Sequence, residues 1–268
     1  MKKRPKFSLV LLNIVLVAAF VWGVVHLVYA PAGMSLELTS DMESVQTGET
    51  VELRYLIRDP EGEVVRFFER EHDKLMHLIV VREDLAQFQH VHPELDEENG
   101  EFSVSLNFDQ AGPYRFFADF TSENSAPSVL SFSVSVGDPS IYQAMTLTAN
   151  GTEAFDLDGL TVTPQFPEVI QSGSLFTYSF DVTRDEKPVS LEDYLGAKGH
   201  SVILHEGDLT YDHTHPSEDK LSFEAILENN GFYNSFTQFQ VDGRVYTIEY
   251  TFEVAAGEGA GESMSDHM

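Results

Sequence analysis

From residue 34 onward the chain breaks into short runs in which apolar and polar residues alternate: SLELTS, TVELRYLIRD, VVRFF, MHLIVV, FQHVHP, EFSVSLNF, YRFFADF and VLSFSVSV. Successive side chains of a β-strand point to opposite faces, so period-two alternation marks a strand with one buried face. Turn formers separate the runs, among them Asp59, Pro60, Glu61 and Gly62, the pair Asn99 and Gly100, and Ala111, Gly112 and Pro113. No comparable helix-period segment occurs. About eight short strands in roughly 100 residues predict an antiparallel β-sandwich of immunoglobulin-like type.

Gly137, Asp138, Pro139 and Ser140 end this alternation with a cluster of turn formers. A second set of runs follows: LTVTPQF, LFTYSFDVT, HSVILHE, YDHTH, LSFEAIL, FYNSFTQFQV and RVYTIEYTFEV. The two sets share a motif. Gly112, Tyr114, Phe117 and Phe120 read G-x-Y-x-x-F-x-x-F, and Gly231, Tyr233, Phe236 and Phe239 read the same. Internal duplication explains this, and the aromatics are expected in the cores between the sheets. The chain is therefore all-β, with domains at residues 31–137 and 138–255. Residues 256–268 form a small, acidic, Gly-rich tail with the composition of disorder, and Met264, His267 and Met268 within it could touch a soft metal ion.

A second shared pattern carries chemistry. His77, His90 and His92 read H-x12-H-x-H-P and close on Pro93; His200, His213 and His215 repeat it and close on Pro216. Residues i and i+2 of a strand share a face, so His90 projects with His92. A hairpin turning about Asp84 and Leu85 pairs His77 with His92 and puts all three imidazoles on one face. Turning about Gly207 and Asp208 does the same for His200 and His215. Six matched positions out of ten histidines favour metal binding over loop-stabilising hydrogen bonds.

Neutral imidazoles without thiolates suit Cu(II) or Zn(II), and less tightly Ni(II) or Co(II). Met76 would add a soft ligand, but alternation turns it to the core face, and its counterpart is Gly199. His72 and His205 align with Leu195 and Arg82, so each is expected to assist only its own copy. Glu94 is replaced by Ser217. No acid or nucleophile accompanies the histidines in both copies, so binding is expected rather than catalysis. The main enzymatic alternative is cupin-like chemistry using the HxH pair and Glu97; it is weakened because the whole first motif is repeated.

Composition places this chemistry. Residues 1–30 lack acidic residues and start with Lys2, Lys3, Arg4 and Lys6, followed by an apolar run at 7–29 broken only by Ser8, Asn13, Gly23 and His26. This predicts a single transmembrane signal anchor rather than a cleaved signal peptide, with everything beyond residue 30 outside the cytoplasm. Of the 16 basic residues these four lie in the leader, and the remainder faces 44 acidic ones, which repels nucleic acid. There are no cysteines, so disulfides, thiolate sites and iron–sulfur clusters are excluded.

MHLIVVREDLAQFQHVHPE followed by GPYRFFADF, with its echo AKGHSVILHEGDLTYDHTHP, resembles a family of bacterial exported, membrane-anchored immunoglobulin-like sandwich proteins associated with heavy-metal and copper handling. The resemblance covers most of residues 40–255. It implies a shared metal-binding set of His77, His90, His92, His200, His213 and His215, and a metal transporter or other metal-handling protein as partner. The expectation is an outward-facing tandem sandwich that holds copper or zinc at one histidine cluster per domain and buffers or delivers it. The alternatives are a structural module whose histidines hold loops, and a cupin-like metalloenzyme.

Overall fold

A computed structural model describes residues 33–216 and 220–257. The expected anchor at residues 1–30, Ser217, and Met264, His267 and Met268 lie outside the described residues. Among the described residues no helix is long and apolar enough to cross a membrane.

The first copy contains β1 (Ser35–Leu38), β2 (Thr50–Arg58), β3 (His77–Arg82), β4 (Phe88–Val91), β5 (Glu94–Asp96), β6 (Glu101–Asn107), β7 (Gly112–Phe120) and β8 (Ser128–Val136). They form two antiparallel four-stranded sheets, ordered β1-β2-β6-β5 and β4-β3-β7-β8. Two sheets with this interleaved order make an immunoglobulin-like sandwich. The alternation works as expected in β2, where Leu53, Tyr55 and Ile57 are buried and Glu52 and Arg54 are exposed. The VVRFF run differs. It forms only isolated bridges, Val64 to Arg58 and Phe68 to Ser122, and the eighth strand is the short β5 instead.

The second copy contains β9 (Phe155–Leu157), β10 (Leu160–Gln165), β11 (Ile170–Gln171), β12 (Leu175–Arg184), β13 (Lys187–Pro188), β14 (His200–His205), β15 (Tyr211–Thr214), β16 (Ser222–Ile226), β17 (Gly231–Val241) and β18 (Arg244–Ala255). One sheet is ordered β13-β12-β10-β9 with β16 also on β12, the other β11-β18-β17-β14-β15. Both copies carry a corner tyrosine of the immunoglobulin type. Tyr114 Oη donates to Gln110 O and Tyr233 Oη to Asn229 O, each at 2.9 Å and four residues upstream.

The sheets containing β3 and β14 are covered on both faces, which explains their unbroken apolar runs. Leu78 and Val80 of β3 enter the core of the first sandwich, while Ile79 and Val81 join a separate cluster with Val202 and Leu204 of β14. That cluster also holds Leu85, Phe117, Leu147, Leu209, Tyr211 and Phe236, so it lies between the domains. Two ring stacks cross it. Phe88 packs on Phe236 at 4.2 Å between centroids, and Tyr211 on Phe117 at 4.9 Å.

Phe88 and Tyr211 hold matching places in the two copies, as do Phe117 and Phe236, so the interface is self-complementary about a pseudo-two-fold axis. The second aromatic of the repeated motif thus faces the other domain instead of its own core; Tyr114, Phe120, Tyr233 and Phe239 are the ones inside. Each fully buried Ile, Val, Leu or Phe contributes about 1.5–3 kcal/mol, so this contact is a third core and not a loose hinge. The connecting stretch is sewn in at both ends: Met145 N donates to Asp84 Oδ2 at 2.8 Å, and Asn150 N to Thr251 O at 2.8 Å.

Candidate metal centre

The hairpins have the register their spacing demands. Ile79 pairs with His90 and Leu78 with Val91, which brings His77 opposite His92 one step further on. Val202 pairs with His213 and Ser201 with Thr214, which brings His200 opposite His215. The shared face is the outer face of each sandwich, the one that meets the other domain. The two expected clusters therefore merge into one, buried between the domains.

At its centre stand His77 and His90 from the first copy and His200 and His213 from the second. All six separations among these four rings lie between 5.2 and 6.1 Å. Four points with nearly equal mutual distances form a tetrahedron. Four imidazoles on one tetrahedral ion, with metal–nitrogen bonds of ~2.0–2.1 Å, place their ring centres about 5 Å apart. The observed frame is slightly wider.

The second nitrogen of every ring in this frame meets an oxygen. His77 Nε2 lies 3.2 Å from Glu71 O and His200 Nε2 lies 3.0 Å from Tyr194 O. His90 Nδ1 lies 2.8 Å from Gln238 Oε1 and His213 Nδ1 lies 3.2 Å from Asp119 Oδ2. Carbonyl and carboxylate oxygens only accept, so these contacts assign the N–H to that nitrogen in each ring. The opposite nitrogens, His77 Nδ1, His200 Nδ1, His90 Nε2 and His213 Nε2, are left as lone pairs.

The supports cross the interface. Asp119, paired in register with His77 on β7, serves His213 of the second domain; Gln238, paired with His200 on β17, serves His90 of the first.

Two observations show what the lone pairs lack. His77 Nδ1 and His90 Nε2 face each other at 3.0 Å with both N–H groups committed elsewhere. His200 Nδ1 and His213 Nε2, and His92 Nε2 beside His90, are buried without a hydrogen-bond partner. A buried acceptor without a donor is costly, and two lone pairs at contact repel. A hydrogen-bond donor or a cation would answer both.

Protons on His77, His90 or His200 do not fill that role at neutral pH. Burial, followed by repulsion from His213, drives the His77 pKa down to about 3 and that of His200 to about 2. Burial and the neighbouring imidazoles push His90 well below its ordinary value. Burial raises the Asp119 carboxyl, but the His213 hydrogen bond and charge outweigh this and hold it below its usual range.

His92 flanks the frame 5.0 Å from His77 and 4.7 Å from His90. His215 flanks it 4.5 Å from His200 and 4.6 Å from His213. Ligand atoms of His77, His90 and His213 lie within 4.8 Å of one another, as do those of His200, His213 and His215. The first of these sets draws on both domains.

His72 does not serve its own copy as expected: it stacks on His215 of the other domain at 3.7 Å. His205 stays outside, bonded to Asp208 Oδ1 at 2.7 Å and Asn230 O at 3.2 Å. Met76 is fully buried in its own core. Gly199 replaces it because a Cβ there would lie 2.6 Å from Leu221 Cδ2 and 2.8 Å from Gln238 O. Glu94 and Glu97, the acids weighed for cupin-like chemistry, are exposed on or just after β5. Asp119 and Gln238 were missed by sequence reasoning. Their matched places two residues after Phe117 and Phe236 were the available signal.

Residues 30–138 and again 154–256 match the model of a family described as "Domain of unknown function (DUF8832)". No curated protein matches the chain. Among solved structures, the chain is similar to Salmonella alpha-2-macroglobulin reacted with methylamine, at 15% identity and a TM-score of 0.30 over 85% of this chain. It spans only 15% of that protein's length. It is also similar to the fibronectin(III)-like modules of Clostridium thermocellum CbhA, at 9% identity and a TM-score of 0.24 over 87% of this chain and 100% of that one. A two-domain fibronectin type III segment of chicken tenascin matches at 12% identity and 0.24, over 82% of this chain and 98% of that one.

Proposed function

The chain belongs to the DUF8832 family, and we propose that it is an extracytoplasmic metal-binding protein that holds one zinc or copper ion between its two domains. The observation that carries this is the frame of His77, His90, His200 and His213, each with one nitrogen held by an oxygen and the other left as a lone pair, within which ligand atoms of His77, His90 and His213 lie within 4.8 Å of one another. A four-imidazole tetrahedral set suits Zn(II); Cu(II) and Ni(II) prefer tetragonal surroundings. Four protein ligands leave no position for a reacting water, which speaks for storage or delivery over hydrolysis.

The sequence pattern of residues 1–30 supports a membrane anchor with the binding domains outside the cytoplasm, where the protein would buffer the ion or pass it to a metal-handling partner. The test is metal content and chelator competition on the full chain, beside a variant with His77, His90, His200 and His213 changed to Ala. Retained zinc or copper that the variant loses is the expected result. Affinity no better than an acidic surface gives, and unchanged in the variant, would leave only a structural module.

A further inference from the structure

The central tetrahedron has two opposite edges, His77 with His90 and His200 with His213, and each carries one flanking imidazole. The flanks differ. Outside the second edge, His215 is followed by His72, whose ring stacks on it at 3.7 Å and 25° and stands 5.3 Å from His200. Outside the first edge, the Lys74 ammonium acts on His92. The position matching His72 in the second copy is Leu195, so no imidazole continues the row there.

The backbone holds His72 in an unusual place. It and Asp73 occupy a two-residue turn between Glu71 and Lys74, at φ of 48° and 66°. Turns of this kind favour glycine and asparagine, because a side chain at positive φ crowds its own backbone. The second copy keeps a glycine, Gly196, at the second of these positions. At the first position the second copy has Leu195, also at positive φ of 53°, where the first copy carries a histidine across the interface onto the other domain's outer ligand.

Resting on the metal-binding reading above, we infer that His72 and His215 form the route by which the metal ion enters and leaves the centre. A closed four-imidazole site releases its ion slowly unless a new ligand attaches as an old one departs. His215 meets that requirement, since its ligand atom lies within 4.8 Å of those of His200 and His213. Leaving by this edge, the ion exchanges its bond to His77 for one to His215, then its bond to His90 for one to His72, and so passes outward. At each step one coordinate bond forms as another breaks, and no proton or electron is transferred. The opposite edge lacks a second imidazole, because Leu195 takes the place of His72 in the second copy.

The route is tested with the full chain and Co(II), whose tetrahedral absorption reports occupancy, followed by stopped-flow uptake and by release to excess EDTA. His215→Ala and His72→Ala should slow both phases by about tenfold or more while shifting Kd by less than about threefold. His205→Ala, outside the centre, should leave the rates as they are, and His92→Ala should slow them less than His215→Ala does. The inference is overturned if His92→Ala slows exchange as much as His215→Ala, if neither His72→Ala nor His215→Ala changes the rates, or if His215→Ala loses affinity as His213→Ala does. Absence of any Co(II) uptake by the unaltered chain would remove the central site itself, and the route with it.

Discussion

The two halves of the histidine centre are copies of one motif, yet they are supported differently. Behind His213 stands the Asp119 carboxylate, which also accepts from Tyr211 Oη at 3.0 Å; behind His90, in the matching place, stands the Gln238 amide. A carboxylate on the far nitrogen makes an imidazole a stronger donor than an amide does. Duplication thus reproduces the geometry, while the strand facing each histidine sets its strength. The outer flank repeats the contrast, with His72 beyond His215 and Lys74 near His92.

Acid should break both halves together and have the largest effect. Among the flanking and central rings, His77, His200 and His92 have folded pKa values of about 3, 2 and 4, all lowered first by burial. The unfolded chain protonates these histidines near 6.5 and the folded chain only well below that, so the unfolded state binds more protons in between. Stability of the metal-free chain should therefore be intact above about pH 6.5 and fall steadily towards pH 3. Denaturant midpoints across that range check it; a flat profile would mean that the rings are not buried together.

Removing one crossing ring comes next. Phe236→Ala deletes the partner of Phe88 and should cost about 3–5 kcal/mol by denaturant titration, as for other buried aromatics.

Comparing central ligands sharpens the contrast further. His213→Ala should weaken metal binding by more than about 100-fold, beyond what losing a supporting residue costs. Asp119→Asn, which keeps the shape but removes the charge, should weaken it by about 10- to 100-fold in chelator competition, and Gln238→Ala by less. Equal losses would show that the two supports are equivalent.

The sandwiches and the hairpin registers were legible because one buried face imposes a period of two, as in β2, and because the turn positions fix which histidines stand opposite each other. The LIVV and VIL runs of β3 and β14 carried a further message, since an unbroken apolar run means cover on both faces. What covers the second face is not written in either copy alone. The merging of two triads into one centre, and the crossing of Asp119, Gln238 and His72 to serve the other domain, follow from how the two outer faces dock. VVRFF was misread because its alternation is spent on loop packing and two bridges instead of a ladder.

The central claim is that one ion is shared by both domains, and stoichiometry tests it most directly. Native mass spectrometry of the full chain titrated with Zn(II) should show one tightly bound ion, lost completely when only His77 and His90 of the first domain are changed to Ala. Two tightly bound ions, of which that variant loses one and keeps the other, would contradict the shared centre and restore one independent site per domain.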